Sequence, residues 1–192
     1  MAALRYGRIY PLLGRMMNYK TEITKAMQML AQDSNVLFVG QTVKYPGSVL
    51  SDTLQGIAPE KLIEFPVAEE LQCGYSIGLA MQGFLPVSVY PRIDFLLRAC
   101  DQLSNHLDVL EELTHGEFHA KVIIRTIVGA KTPLYPGIQH SRDLTESFRG
   151  LLKDIIVVKL DSPNVVMPVY EAALKGNRSM LIVEMAELYG KE

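Results

Sequence analysis

A chain of 192 residues with 48% hydrophobic composition can bury one sizeable core and is short for two ordinary domains. Its formal net charge of −2 gives no overall bias toward nucleic acid or an anionic membrane surface, and no apolar run approaches the ~20 residues of a membrane-spanning helix. Cys73 and Cys100 lack metal-knuckle or redox-pair spacing, so the expectation is a cytoplasmic protein with two ordinary buried thiols and neither a disulfide framework nor a metal site of its own.

Arg5, Arg8, Arg15 and Lys20 precede the first acidic residue, Glu22, a composition that organelle transit peptides share. Residues 1–19 are read instead as an N-terminal extension from an upstream start codon, with Met16 or Met17 as the alternative beginning. From residue 20 short β-branched runs alternate with longer amphipathic stretches, the pattern of successive βα units. In chain order the spacing predicts a helix over Tyr19–Ala31, a strand over Val36–Val39, a strand over Leu62–Phe65 and a helix over Ala68–Met81. A strand over Pro86–Tyr90, a helix over Ile93–Leu113 and a strand over Lys121–Val128 follow. The chain closes with a helix over Leu144–Leu152, a strand over Ile155–Leu160, a helix over Val166–Lys175 and a strand over Met180–Met185.

The strands are near-continuous apolar runs, as expected where helices cover both faces of a parallel sheet. The fold class is therefore α/β, a single three-layer domain over residues 20–192 with a mostly parallel sheet flanked by helices. Two long loops, Gly40–Pro59 and Gly129–Asp143, each follow a strand. Loops at the carboxyl ends of parallel strands form the ligand crevice, so these are the first places to look for a site.

Within Phe65-Pro66-Val67-Ala68-Glu69-Glu70 a strand ends and a helix begins. A carboxylate there sits near the positive end of the helix dipole, which favours its ionised form whether it serves catalysis or only stabilises the helix. Gly74, Ser76, Gly78 and Ala80 on the same helix suggest close packing against a partner subunit or the sheet below. Gln139-His140-Ser141 closes the second long loop, which makes His140 the leading acid–base candidate among the four histidines. His115 and His119 have metal-ligand spacing for a helix, although Gly116 between them argues for a loop and no third ligand is evident. There is no Gly-rich phosphate loop of the dinucleotide or mononucleotide kind and no Gly-x-Ser-x-Gly elbow.

Several stretches, taken in order, resemble the beta subunits of pyruvate, branched-chain 2-oxoacid and acetoin dehydrogenases, which contain a transketolase-like pyrimidine-binding domain. They are Phe38-Val39-Gly40-Gln41-Thr42-Val43; Pro66-Val67-Ala68-Glu69 with Gly74, Gly78, Gly83 and Pro86; Asp94-Phe95 with Asp101-Gln102; Arg125 to Gly129; Gln139-His140-Ser141; and Val183-Glu184 with Leu188-Tyr189. The resemblance implies thiamine diphosphate as cofactor. It makes Glu69 the glutamate of a Pro-x-x-Glu motif that hydrogen-bonds the aminopyrimidine ring and activates the thiazolium carbon. It places Phe95 against the pyrimidine, Gln41 at a cofactor-binding position and His140 over the reacting substrate.

It also implies that Mg²⁺ and the diphosphate are held by a partner, because the family's Gly-Asp-Gly…Asn motif is not in this sequence. The expected partner is a diphosphate-binding alpha-type subunit, in a homodimer or heterotetramer acting on a small 2-oxo acid, with no nucleic acid or membrane involved. The alternatives are one half of a split transketolase-like enzyme acting on sugar phosphates, or a non-catalytic scaffold. Gln41 stands where the family usually has an acid, and Val89 and Arg92 depart from it too. Lys131 to Gly137 replaces a Gly-rich stretch. Lys131, Arg92 and Arg142 are read either as solvated surface charge or as selectors of an anionic substrate.

Overall fold

The computed structural model describes residues 17–132 and 135–190. The extension read over residues 1–19 therefore lies outside the described residues except for its last three. Asn18 caps the first helix, α1 (Tyr19–Ala31), its Oδ1 accepting from the Thr21 amide at 3.0 Å. Next come strand β1 (Val36–Gly40), the single turn α2 (Val49–Asp52), β2 (Leu62–Glu64) and helix α3 (Glu69–Met81). They are followed by β3 (Leu85–Val89), the short helices α4 (Ile93–Leu96) and α5 (Leu110–Leu113), and β4 (Ile123–Val128). The last elements are α6 (Thr145–Leu151), β5 (Ile156–Lys159), α7 (Pro163–Lys175) and β6 (Met180–Met185).

The six strands form one sheet in the order β2-β1-β3-β4-β6-β5, every neighbouring pair parallel. Side chains alternate across it with a period of two. Ile123, Ile127, Met180 and Ile182 pack on one face with α1 and α7, while Ile124, Val128, Leu181 and Val183 pack on the other with α3, α4 and α6. The two apolar clusters, one on each face, give the three-layer α/β architecture expected from the strand composition.

The same alternation carries Arg125 of β4 and Glu184 of β6 into the α1–α7 layer, where both are 0% exposed. They form a two-pronged pair, Nε to Oε1 at 2.7 Å and Nη2 to Oε2 at 3.1 Å. Nη2 also donates to Thr53 Oγ1 at 2.9 Å and Nη1 to the Leu50 carbonyl at 3.5 Å, which tethers the segment after β1. Tyr170 of α7 donates to Glu184 Oε1 at 2.7 Å, and the Tyr189 hydroxyl donates to the other carboxylate oxygen. Burial, then the Glu184 charge, raises both phenols well above their ordinary pKa, so they remain neutral donors. Burial disfavours the Arg125 charge, but Glu184 and the surrounding hydroxyls outweigh it and hold the guanidinium well above its ordinary value.

The helix expected over Ile93–Leu113 is broken. α4 runs into a 3-10 turn at Leu97–Ala99, a π-type turn at Gln102–Leu107 and the single turn of α5. The interruption before α5 falls at Asp108, whose buried carboxylate accepts from the amides of Lys153, Asp154 and Ile155 at 2.8–2.9 Å. Docking that side chain under the start of β5 takes the chain out of α-helical register, and Val109 follows with a φ of −119°. His115 and His119 lie in a loop, as Gly116 between them suggested: α5 ends at Leu113, and His115 has a φ of 52°. α7 begins at Pro163, earlier than the expected Val166, because proline suits the first turn, where its missing N–H has no helical partner.

Arg125→Met should lower stability by about 3–5 kcal/mol, since it leaves the Glu184 carboxylate buried without its cation. Urea unfolding followed by circular dichroism measures this as a drop in midpoint; an unchanged midpoint would show that the pair does not hold these layers together.

Candidate functional site

Glu69 is the first residue of α3 and follows Ala68, which offers no side-chain cap to the helix. Buried polar contacts fix that helix end in place. Gln72 Nε2 lies 3.0 Å from the Val89 carbonyl and 3.1 Å from Ser88 Oγ, and Ser76 Oγ lies 3.0 Å from the same hydroxyl. Tyr90 Oη donates to the Glu69 carbonyl at 3.4 Å. These bonds set the N-terminus of α3 over the carboxyl end of β3, where parallel α/β sheets place their ligands.

The Glu69 side chain is 3% exposed, and its Oε2 accepts no hydrogen bond. The Arg98 guanidinium, 77% exposed, brings Nε to 3.4 Å from that oxygen. This is an ion-pair contact without hydrogen-bond geometry. Glu69 and Arg98 line a cleft of about 470 Å³ together with Val67, Gly74, Tyr75 and Gln102. Glu70, the next residue, is exposed.

The turn Ile138–His140 lies beside α4 through three contacts. The Phe95 and His140 rings meet edge to face at 5.4 Å, Arg92 Nη1 donates to the His140 carbonyl at 3.3 Å, and Arg142 Nε pairs with Asp94 Oδ1 at 3.0 Å. Gly129, after β4, makes the close approach possible: a Cβ there would lie 1.9 Å from the His140 carbonyl oxygen. His140 Nδ1 is buried without a partner, and so is Asp94 Oδ2. Gln41 sits apart from this pair, half-buried, its Nε2 3.4 Å from the Pro66 carbonyl in the segment that leads to Glu69. The structure thus brings Phe95 and His140 together and sets Gln41 against the approach to Glu69, while no hydrogen bond or ring contact joins Glu69 to Phe95 or His140 among the described residues.

Residues 15–191 match the family model described as the transketolase pyrimidine-binding domain. The chain belongs to that family. Among its relatives, the pyruvate dehydrogenase E1 component subunit beta of Gracilaria tenuistipitata var. liui is 28% identical over 163 residues, 83% of this chain and 50% of the relative. The protein of the same name from Cyanidium caldarium is 29% identical, with 83% and 49% covered. The chain spans about half the length of these curated relatives. Among solved structures, a split-gene transketolase described as an inactive beta4 tetramer superposes with a TM-score of 0.67 at 16% identity, covering 88% of this chain and 52% of that one. The transketolase of Campylobacter jejuni superposes equally well, at 15% identity, over 92% of this chain and 27% of its own.

Within this pyrimidine-binding domain the α3 stripe of small residues divides by direction. Ser76 and Ala80 face the interior, Gly74 faces the Gln102 side chain, and Gly78 faces open space. Cys73 is buried and its thiol is pushed up to about 12, mainly by burial, which makes it unreactive; Cys100 is only half-buried. Arg92 and Arg142 are engaged with the His140 turn and Asp94, so neither is a purely solvated charge. Arg98 escaped the sequence reading, because a lone arginine on an amphipathic stretch carries no signal of the carboxylate it will meet. Gln72, Ser76 and Ser88 had a legible one: polar residues interrupting apolar surfaces on a helix and on a strand that pack together.

Gly129→Ala should push the His140 turn away from β4 and Phe95, at an overpacking cost of about 1–3 kcal/mol. In proton NMR the ring-current shift of His140 from Phe95 should then collapse; an unshifted His140 spectrum would contradict the close packing.

Proposed function

We propose that this chain is the pyrimidine-binding half of a thiamine-diphosphate enzyme, a dehydrogenase-beta-subunit-like component that acts on a 2-oxo acid and is completed by a diphosphate-binding partner. The observation that carries this reading is Glu69: a carboxylate held in a buried position at a helix N-terminus, lining a cleft, with an oxygen that accepts no hydrogen bond. A buried charged acceptor without a donor is costly, and a ring nitrogen bearing a proton is the kind of group that relieves it. The residues present therefore fit an aminopyrimidine. When bound, thiamine diphosphate supplies a thiazolium carbon acidic enough to lose its proton, and with it the decarboxylating chemistry.

Each residue's part follows from its surroundings. Glu69 accepts a hydrogen bond from the pyrimidine nitrogen and, as an anion near the α3 dipole, favours a proton there. Phe95 offers a flat apolar surface to the ring and steadies His140 edge-on. Among the described residues no group bonds His140 Nδ1, which leaves that nitrogen free to meet a polar group of the substrate. Gln41 serves as a polar contact at the edge of the same crevice.

Arg98 is the single cation among the residues lining the Glu69 cleft, which is a poor match for a diphosphate and its Mg²⁺. Those groups are assigned to a partner subunit, in line with the names of the relatives as subunits. Val67, Leu71 and Tyr75, spaced by four residues and exposed beside the cleft, supply the apolar edge that such a partner would cover. No helix among the described residues is long and apolar enough to cross a membrane.

In the complex reconstituted with its diphosphate-binding partner, Glu69→Gln should slow hydrogen–deuterium exchange at the thiazolium carbon by about 10²- to 10⁴-fold while cofactor affinity changes far less. Glu70→Gln should be nearly silent, since its side chain points ~100° further round the helix. Equal exchange rates in wild type and Glu69→Gln would sink the proposal.

A further inference from the structure

The Glu69 carboxylate is almost fully enclosed, and Arg98 lies against one of its oxygens in the cleft that both residues line. The Glu69 side chain is 3% exposed and that of Arg98 77%, so the contact joins a buried carboxylate to a cation carried on a solvent-exposed side chain. Nothing else holds Arg98: among the described residues its side chain makes no hydrogen bond, and its 3.4 Å approach to Oε2 is its one polar contact. Glu69, by contrast, is fixed by the Gln72, Ser88 and Tyr90 contacts that pin the start of α3. Of the two partners, the arginine is the one free to leave.

From this geometry we infer that Arg98 is a gating residue: in the uncombined chain its guanidinium caps Glu69, and an aminopyrimidine must displace it to reach the carboxylate. This rests on the reading of Glu69 as the pyrimidine contact. A ring nitrogen that carries a proton on Glu69 places positive charge at the carboxylate, and a guanidinium left 3.4 Å from the same oxygen would repel it and compete for its lone pairs. The two donors therefore exclude each other.

The capped conformation lowers the apparent affinity by the fraction of chains in which the carboxylate is open. Because Arg98 is largely solvated, the pair is a weak one, and capping should weaken binding by about three- to tenfold. The contact is also screened by salt, whereas the packing of α3 is not.

The test uses the full chain and the hydroxymethyl aminopyrimidine half of thiamine, titrated at millimolar concentration and followed through the backbone amide NMR signals of α3. Arg98→Met, of similar length and without charge, should bind this probe about three- to tenfold more tightly than wild type at low salt, and the gap should close near 1 M salt. Arg98→Lys, which keeps the cation, should stay near wild type. In a Glu69→Gln background Arg98→Met should have no effect, because the cap has lost its anion. Equal or weaker binding by Arg98→Met, with the α3 signals still responding, overturns the gate and leaves the pyrimidine reading standing. If the probe moves α3 in none of the variants, the pyrimidine reading fails and the gate with it.

Discussion

Arg125 and Glu184 put a charge pair in the middle of an apolar layer, and much of the site's framework depends on it. Neither charge reaches water, and removing one from solvent is tolerable only if the other and its hydrogen-bond partners are in place. The pair bridges β4 and β6, takes donors from Tyr170 on α7 and from Tyr189 past β6, and reaches Thr53 and Leu50 in the segment after β1. Tyr19 adds the first helix: its hydroxyl donates to the Leu160 carbonyl at 2.9 Å, accepts from the Met185 amide at 3.2 Å, and its ring meets Tyr189 at 5.3 Å. Residues from both ends of the described chain thus converge on one buried cluster.

On the opposite face of the sheet the constraint is lighter and the candidate site residues collect. There the contacts that fix the start of α3 are neutral amides and hydroxyls, Gln72, Ser76 and Ser88, while the buried Asp108 carboxylate ties the segment after α4 to the amides before β5. Among the described residues, Glu69 Oε2, which meets only the Arg98 ion pair, His140 Nδ1 and the neighbouring Asp94 Oδ2 are buried without a hydrogen bond, as is Thr126 Oγ1 within β4. Buried polar atoms without partners are rare in folded proteins because each forfeits its hydration. The close approach at Gly129 and the Glu64 carboxylate belong to the same design. Glu64 accepts from the Thr42 and Lys44 amides at 2.7 and 2.8 Å and holds Thr42 at a φ of 54°.

The elements defined by local pattern were legible in the sequence. The first helix and the last strand were expected over Tyr19–Ala31 and Met180–Met185 and are found there, because continuous amphipathic or apolar spacing decides such segments locally. Ile93–Leu113 has helical spacing throughout, yet the chain leaves the α-helix at Leu97–Ala99 and Gln102–Leu107, and the last interruption falls at Asp108, whose bonds reach residues distant in sequence. Glu69 and His140 drew attention by type and position, but their roles came from family resemblance, since a first-turn glutamate and a loop histidine occur in many proteins without chemistry. The Arg125–Glu184 pair was within reach: one cation and one anion, each interrupting an apolar strand, have few places to go except toward each other. Arg98 was not, because its meeting with Glu69 exists only once α3 and the broken helix pack together.

A crystal structure of the assembled enzyme with thiamine diphosphate most directly tests the proposed contact of Glu69 with the pyrimidine. It should show a pyrimidine ring nitrogen at hydrogen-bond distance, about 2.6–3.2 Å, from a Glu69 carboxylate oxygen, with Phe95 against the ring. A cofactor bound with its pyrimidine away from α3, and Glu69 still facing only this chain's own residues, would contradict it.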